Sequence, residues 1–307
     1  MEKKQRLNFT EQSLKEIDFF IFTKSLFQLM KPRVMSLVIF TCVVGLLIAP
    51  VEISFFKSFM SLVAVALGAG AAGTLNMWYE SDLDAVMTRT CLRPIPSGMV
   101  TKDQAFVFGV LTSFISIIAL YIFANLISAI ILAITILFYV GIYTIWLKRK
   151  TAQNIVIGGA AGALPPVIGW TIATGEISFE PIILFLIIFF WTPSHFWALS
   201  LYKSDDYEKA KIPMLPVTSG IKTTKINILV YSLILFPITL APFIFGYSGI
   251  TYLVFSTIFN FYYIYLCFRL LNENDLKIEM KIAKKIFGFS ILYLFAIFIL
   301  ILVDKIL

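Results

Sequence analysis

Residues 57–84 read KSFMSLVAVALGAGAAGTLNMWYESDLD, an apolar run that ends in Asn76, Glu80, Asp82 and Asp84. Nothing from Phe59 to Trp78 is charged, which suits the roughly 20 apolar residues a helix needs to cross a bilayer. If that helix continues to Asp84, then Asn76, Glu80 and Asp84 stand at i, i+4 and i+8 and share one face. The stretch joins a membrane span to a row of oxygen donors at its end.

The rest of the chain repeats the apolar half of this pattern. Hydrophobic residues make up 59% of the 307 and charged residues 14%, against roughly 25% charged in a soluble domain. Nine apolar runs can be marked, at about 34–51, 57–78, 104–123, 126–147, 152–173, 180–201, 226–246, 250–271 and 283–304. No polar stretch between them is long enough to bury a core of its own. The expected fold is all-α, a polytopic membrane protein with nine transmembrane helices, forming one domain over 31–307.

Residues 1–30 form a separate cytoplasmic segment. Its acids Glu2, Glu11, Glu16 and Asp18 argue against a transit peptide, and it lacks the continuous apolar core of a secretion signal. The set Ile17, Phe19, Phe20, Phe22, Leu26 and Phe27 suits a short interfacial helix. The three cysteines, Cys42, Cys91 and Cys267, are too dispersed for a metal site or a disulfide pattern.

Loop charge orients the bundle. The connections after spans one, three, five and seven are short and nearly uncharged, whereas those after two, four, six and eight are basic. With the N-terminal segment they hold 23 of the 25 Lys and Arg, leaving Lys57 and Lys305 on the other side. By the positive-inside rule the basic side is cytoplasmic, with the N-terminus inside and the C-terminus outside. The net charge of +7 follows from this topology. No loop interleaves aromatics with a basic stripe, so nothing points to nucleic acid.

Two acidic clusters face that side. The first runs from Asn76 to Asp84 and continues through Arg89 and Arg93-Pro94-Ile95-Pro96-Ser97-Gly98. The second is Tyr202-Lys203-Ser204-Asp205-Asp206-Tyr207, followed by Ile212-Pro213-Met214-Leu215-Pro216. Tyr79-Glu80-Ser81-Asp82 echoes Tyr202-Lys203-Ser204-Asp205. A solvated helix end accounts for acids alone, but Asn76 lies within an apolar run, where polar groups are costly and usually functional. Oxygen donors in this arrangement suit Mg2+, which takes one or two carboxylates plus substrate phosphates. Together the clusters would clasp a diphosphate between metal ions and basic side chains.

Two further segments carry chemistry. His195, the single histidine, lies in Trp191-Thr192-Pro193-Ser194-His195-Phe196-Trp197. It is either a hydrogen-bonded packing residue or a group acting on an acceptor, as base, acid partner or metal ligand. One histidine excludes a multi-histidine metal cage. The loop Tyr143 to Thr151 contains Lys148 and Arg149 and leads to Gly158-Gly159-Ala160-Ala161-Gly162-Ala163, small residues suited to close helix packing. Pro165-Pro166 then breaks span five.

With these segments in hand, the chain resembles the UbiA-type intramembrane prenyltransferases, in the branch that modifies heme. The resemblance rests on Asn76 to Gly98, on Tyr143 to Trp170, and on His195-Phe196-Trp197 with Asp206-Tyr207 to Pro216. The first acidic motif alone is shared across the superfamily; the other two distinguish the heme branch. The resemblance implies nine helices around a central cavity capped by cytoplasmic loops, in a bacterial inner membrane. It implies transfer of the farnesyl group of farnesyl diphosphate to a vinyl group of heme B, giving heme O. Mg2+ would come with the diphosphate, and heme B is a substrate rather than a cofactor.

Carried onto this chain, Asn76, Glu80, Asp84, Asp206 and Tyr207 match the catalytic positions, and the first four of these the metal positions. Arg89, Arg93, Lys148, Arg149 and Lys203 match the diphosphate-binding positions, and His195 the histidine on the heme side. Heme A synthase and oxidase assembly proteins are the partners the resemblance implies. The family usually has Asp where this chain has Glu80, so the longer arm would shift the metal or leave its coordination to Asp84 and Asp206. A quinone or pigment prenyltransferase shares the first motif but not the heme-branch segments. A secondary transporter would place its acids near the bilayer midplane, whereas these lie at the cytoplasmic ends.

Overall fold

A computed structural model describes residues 19–306, so Ile17 and the rest of 1–18 lie outside the described residues. Every regular element in it is helical: α1 (Phe19–Leu29), α2 (Pro32–Ile48), α3 (Phe55–Tyr79), α4 (Ser81–Val86), α5 (Lys102–Phe123) and α6 (Leu126–Leu137), which runs into a π-helix, Phe138–Leu147. There follow α7 (Asn154–Ala163), α8 (Pro165–Thr174), α9 (Phe179–Tyr202), α10 (Ser204–Lys209), α11 (Leu215–Ile244), α12 (Ile250–Asn272) and α13 (Leu276–Ile306).

Among the described residues eight helical runs are each long and apolar enough to cross a membrane. α2, of 17 residues, passes the same test only together with α1, from which it is bent by 48°. The nine expected spans correspond to these eight runs and that bent pair. Their starts and ends follow local chemistry. Thr101 and Gln104 form a reciprocal capping box at the head of α5, and Asn125 caps α6 through Ser128 N. Gly175, at φ 74°, ends α8 in the left-handed conformation that glycine tolerates best.

Span five is broken where the paired prolines stand. α7 stops at Ala163 and α8 begins at Pro165, because a proline ring excludes the preceding turn's carbonyl and offers no N–H. Beyond the break α8 packs on α2 with almost no side chain between them: a Cβ added to Gly169 would strike the Cys42 carbonyl. Before the break, a Cβ on Gly158 would enter the Tyr143 ring. The small-residue stretch is thus a packing device that draws α7 against the π-helix.

Most of the apolar surface is turned outward, as a lipid-facing bundle requires. On α5, Val107, Leu111, Phe114, Ile118 and Tyr121 are exposed, whereas Gly109, Thr112, Ser116 and Leu120 are buried. α1 lies across the acidic end of the bundle. Leu29 packs with Met77, Val100 and Ala105, while Phe19, Phe20 and Phe27 stay exposed.

Candidate active site

Two copies of one local structure build the acidic end. α3 stops at Tyr79, Glu80 takes φ −93° and ψ 11°, and the six-residue α4 starts at Ser81. α9 stops at Tyr202, Lys203 takes φ −124° and ψ 18°, and the six-residue α10 starts at Ser204. The echo between the two sequence segments is therefore a shared break. The expected single helix to Asp84 is interrupted at Glu80, whose ψ near zero opens the turn. The break does not scatter the row of donors. Glu80 N–H still donates to Asn76 O at 3.0 Å and Asp84 N–H to Glu80 O at 2.8 Å. Asn76, Glu80 and Asp84 are all buried, at 2–3% exposure.

Buried carboxylates need partners, since an unpaired charge away from water costs several kcal/mol. The π-helix and the lysine that caps its end hold the row in register. Asn76 Nδ2 donates to Thr144 Oγ1 at 3.0 Å, and one turn on Lys148 Nζ meets Glu80 Oε2 at 2.6 Å. The wide turn is visible in its own bonds, with Lys148 N–H reaching back five residues to Tyr143 O and Thr144 Oγ1 to Tyr139 O. Such insertions recur at functional sites. Arg149 grips the exposed Asp82 through both guanidinium nitrogens at 2.8 and 2.9 Å. That contact holds the Asp82 carboxyl below its usual range.

Arg93 Nη1 lies 2.8 Å from each oxygen of Asp84. Lys31, at the elbow between α1 and α2, donates to Asn76 Oδ1 at 2.6 Å. The longer arm of Glu80 is what reaches Lys148. Its other oxygen, Oε1, is buried without a hydrogen-bond partner.

The second cluster is tied to the first. Thr88 Oγ1, in the loop after α4, contacts both carboxylate oxygens of Asp206 at 2.9 and 3.0 Å. Asp206 is buried and its neighbour Asp205 exposed, so one acid of that pair faces inward. A hydrophobic cap closes over the junction: Met87 from the first loop, Ile155 from α7, and Tyr207, Ala210, Ile212 and Met214 from the second, with Leu83 and Phe196 against them. Tyr207 is thus part of that cap. Arg89 and Lys203 form no ion pair among the described residues.

No three His, Cys, Asp or Glu side chains converge as a metal site among the described residues. Glu80, Asp84 and Asp206 instead each hold a different protein partner, as above. This donor set fits a hard cation arriving with phosphate oxygens rather than one held by protein alone. Glu80 Oε1 is buried without a hydrogen-bond partner, an orphaned oxygen that such a cation would satisfy. A separate cavity of about 330 Å3, lined by Asp82, Ile95, Pro96 and Lys102 among others, has none of Asn76, Glu80 or Asp84 in its wall.

His195 stands on α9 against α13. Its ring is sandwiched between Trp191, at 4.3 Å, and Phe287, at 4.6 Å, and Nδ1 is 2.6 Å from Ser290 Oγ. Phe196, edge-on to the ring at 5.0 Å, belongs to the cap over the acidic clusters.

This arrangement has close sequence relatives. The UbiA prenyltransferase family matches residues 38–301. The chain belongs to that family. It is a multi-pass membrane prenyltransferase. A protoheme IX farnesyltransferase of Pelagibacter ubique is 64% identical over 96% of this chain and 97% of its own. One of Parvibaculum lavamentivorans is 52% identical over 92% and 89%. Among solved structures, a digeranylgeranylglyceryl phosphate synthase superposes with a TM-score of 0.78 at 20% identity, covering 93% of this chain and 99% of that one. A UbiA homolog from Archaeoglobus fulgidus bound to GPP and Mg2+ gives 0.63 at 15% identity, covering 88% and 99%. These two share the family fold.

Of the residues expected from sequence, Asn76, Glu80, Asp84, Arg93, Lys148 and Arg149 come together directly, and Asp206 joins them through Thr88. Sequence reasoning overlooked Lys31, Thr88 and Thr144. Lys31 had a signal, being a cation immediately before Pro32 and the first span. Thr88 and Thr144 are ordinary polar residues until folding brings Asp206 and Asn76 beside them.

Proposed function

We propose that the acidic end binds farnesyl diphosphate with Mg2+ and that the enzyme transfers the farnesyl group to a vinyl group of heme B, releasing diphosphate and making heme O. The observation that carries this is the Thr88–Asp206 contact, which joins two acid-bearing breaks under one hydrophobic cap. The relatives carrying the name protoheme IX farnesyltransferase supply the acceptor.

Asn76, Glu80, Asp84 and Asp206 would hold the metal, which when bound neutralises charge on the departing diphosphate. Arg89, Arg93, Lys148, Arg149 and Lys203 add fixed positive charge where that anion develops. The C1–O bond of the allylic diphosphate breaks, and the cation is captured by the vinyl carbon. Water then supplies the hydroxyl and a proton is lost. Tyr207 keeps the cap closed over this step, excluding water until the cation is captured. His195 belongs to the heme side.

The acidic end is cytoplasmic, the membrane is a bacterial inner membrane, and α1 lies in its interface. Heme A synthase and oxidase assembly proteins are the expected recipients of the product. Asp84→Ala and Asp206→Ala test the site: each should abolish turnover while leaving folded protein in the membrane. Turnover at the unaltered rate in either would remove these residues from the reaction.

A further inference from the structure

Lys284, near the head of α13, is exposed and holds its ammonium 5.6 Å from the ring centre of Tyr202, the last residue of α9. The Tyr202 ring, half-buried, meets Phe287 edge-on at 6.0 Å, one turn further along α13. Phe287 in turn stacks on His195 at 4.6 Å. Aromatic contacts therefore run unbroken from the interior of the bundle to a cation at its rim. Neither the Lys284 ammonium nor the Tyr202 hydroxyl has an ion-pair or hydrogen-bond partner among the described residues.

Exposed lysines at the end of a span often do no more than orient it. Lys285 fits that account, since it turns away from Tyr202 to the exposed ring of Tyr262 on α12. Lys284 instead faces the break between α9 and α10, where Lys203 is the next residue and Arg89 follows the Thr88 that holds Asp206. The acids nearby in sequence are already engaged: Glu279 of α13 pairs with Lys225 at 2.7 Å, and Asp206 accepts from Thr88. Arg89, Lys203 and Lys284 thus gather without a carboxylate paired to any of them among the described residues. Like charges gathered this way repel one another until an anion joins them.

Heme B carries two propionates on the edge opposite its vinyl groups. Ionised carboxylates are costly in hydrocarbon, so they must lie at the rim of the bundle, where a cation and a hydroxyl can donate to them. We propose that the Lys284 ammonium and the Tyr202 hydroxyl form the receptor for the propionate carboxylates of the porphyrin substrate. The proposal rests on heme being the acceptor. The cations that grip Glu80, Asp82 and Asp84 stay with the diphosphate, so the anionic groups of the two substrates dock through different side chains. Holding the porphyrin by its propionate edge leaves the opposite, vinyl edge free to meet the farnesyl cation.

The test uses the full-length enzyme in nanodiscs and compares farnesylation of heme B with that of its propionate dimethyl ester, varying each porphyrin and farnesyl diphosphate in turn. The unaltered enzyme should prefer the free acid. Lys284→Met should raise KM for heme B about tenfold, the scale of one charge-assisted hydrogen bond, and leave KM for the ester and for farnesyl diphosphate unchanged. Lys284→Arg should keep the preference for the free acid, and Tyr202→Phe, which retains the ring, should reduce it. Lys285→Met, which alters the neighbour turned to Tyr262, should change none of these values. Equal losses with acid and ester in Lys284→Met, or no loss with either, would overturn the proposal and leave Lys284 an orienting charge only. A rise in KM confined to farnesyl diphosphate would overturn it too and move Lys284 to the diphosphate. If the unaltered enzyme farnesylates heme in those cases, the proposed function stands and only the receptor falls. Absence of any farnesylated heme would remove the function itself, and the receptor with it.

Discussion

Lys148 Nζ lies 2.6 Å from Glu80 Oε2, while the second oxygen of the same buried carboxylate has no partner. One Glu80 oxygen is therefore neutralised by protein, and the other is sealed without a partner, an orphan that a bound cation would satisfy. That division explains how a carboxylate can be buried at 3% exposure without a preformed metal cage. The Glu80 side chain spans to Lys148, the residue that follows the π-helix.

Lys148→Met should leave Glu80 buried without its ion-pair partner. Breaking such a pair costs about 3–5 kcal/mol, so thermal unfolding in detergent should fall clearly below that of the unaltered enzyme. Glu80→Gln in the same background should recover much of the loss, because the uncompensated charge is gone, while turnover stays low.

Arg93→Lys keeps a cation opposite Asp84 but replaces the longer guanidinium arm, whose Nη1 meets both carboxylate oxygens, with a shorter ammonium. Turnover should fall about 10²-fold, the scale for losing one charge-stabilising donor, with little change in unfolding temperature. Steady-state kinetics over a range of farnesyl diphosphate concentrations would measure it.

Thr88→Val removes the hydroxyl that touches Asp206 and preserves side-chain shape. The two acidic loops should then lose their polar tie but keep the hydrophobic cap of Met87, Tyr207 and Met214. The expected outcome is a roughly tenfold loss of turnover and faster hydrogen exchange confined to α4 and α10, read by mass spectrometry.

Gly169→Ala would drive a methyl group into the Cys42 carbonyl, a backbone atom that cannot rotate away. Overpacking of this kind costs about 1–3 kcal/mol. The variant should unfold at a lower temperature, whereas Gly162→Ala, which meets nothing within 4 Å, should not.

Much of this was legible in the sequence because the bilayer imposes simple rules. Apolar run length marked the eight membrane-length helical runs and the bent α1–α2 pair, and the acidic motifs fell at helix ends that the fold brings together. Pro165-Pro166 marked a real break because proline cannot continue a hydrogen-bond ladder. Periodicity erred at Glu80, since an i, i+4 series reads as one helix whether or not one residue opens its ψ. The ties that assemble the site were hidden for a different reason. Thr144 reaches Asn76 only because a π-turn resets the register of that helix, and Thr88 reaches Asp206 across 118 positions of chain. Neither relationship has a local signature.

The central claim is farnesyl transfer to heme at this acidic end, and the most direct measurement is product mass. Membranes containing the enzyme, incubated with heme B, farnesyl diphosphate and Mg2+, should yield a heme enlarged by one farnesyl group and one hydroxyl group. The same incubation without the metal, or with Asp84→Ala, should yield only heme B. Unmodified heme from the complete incubation, with the enzyme folded and both substrates present, would contradict the account.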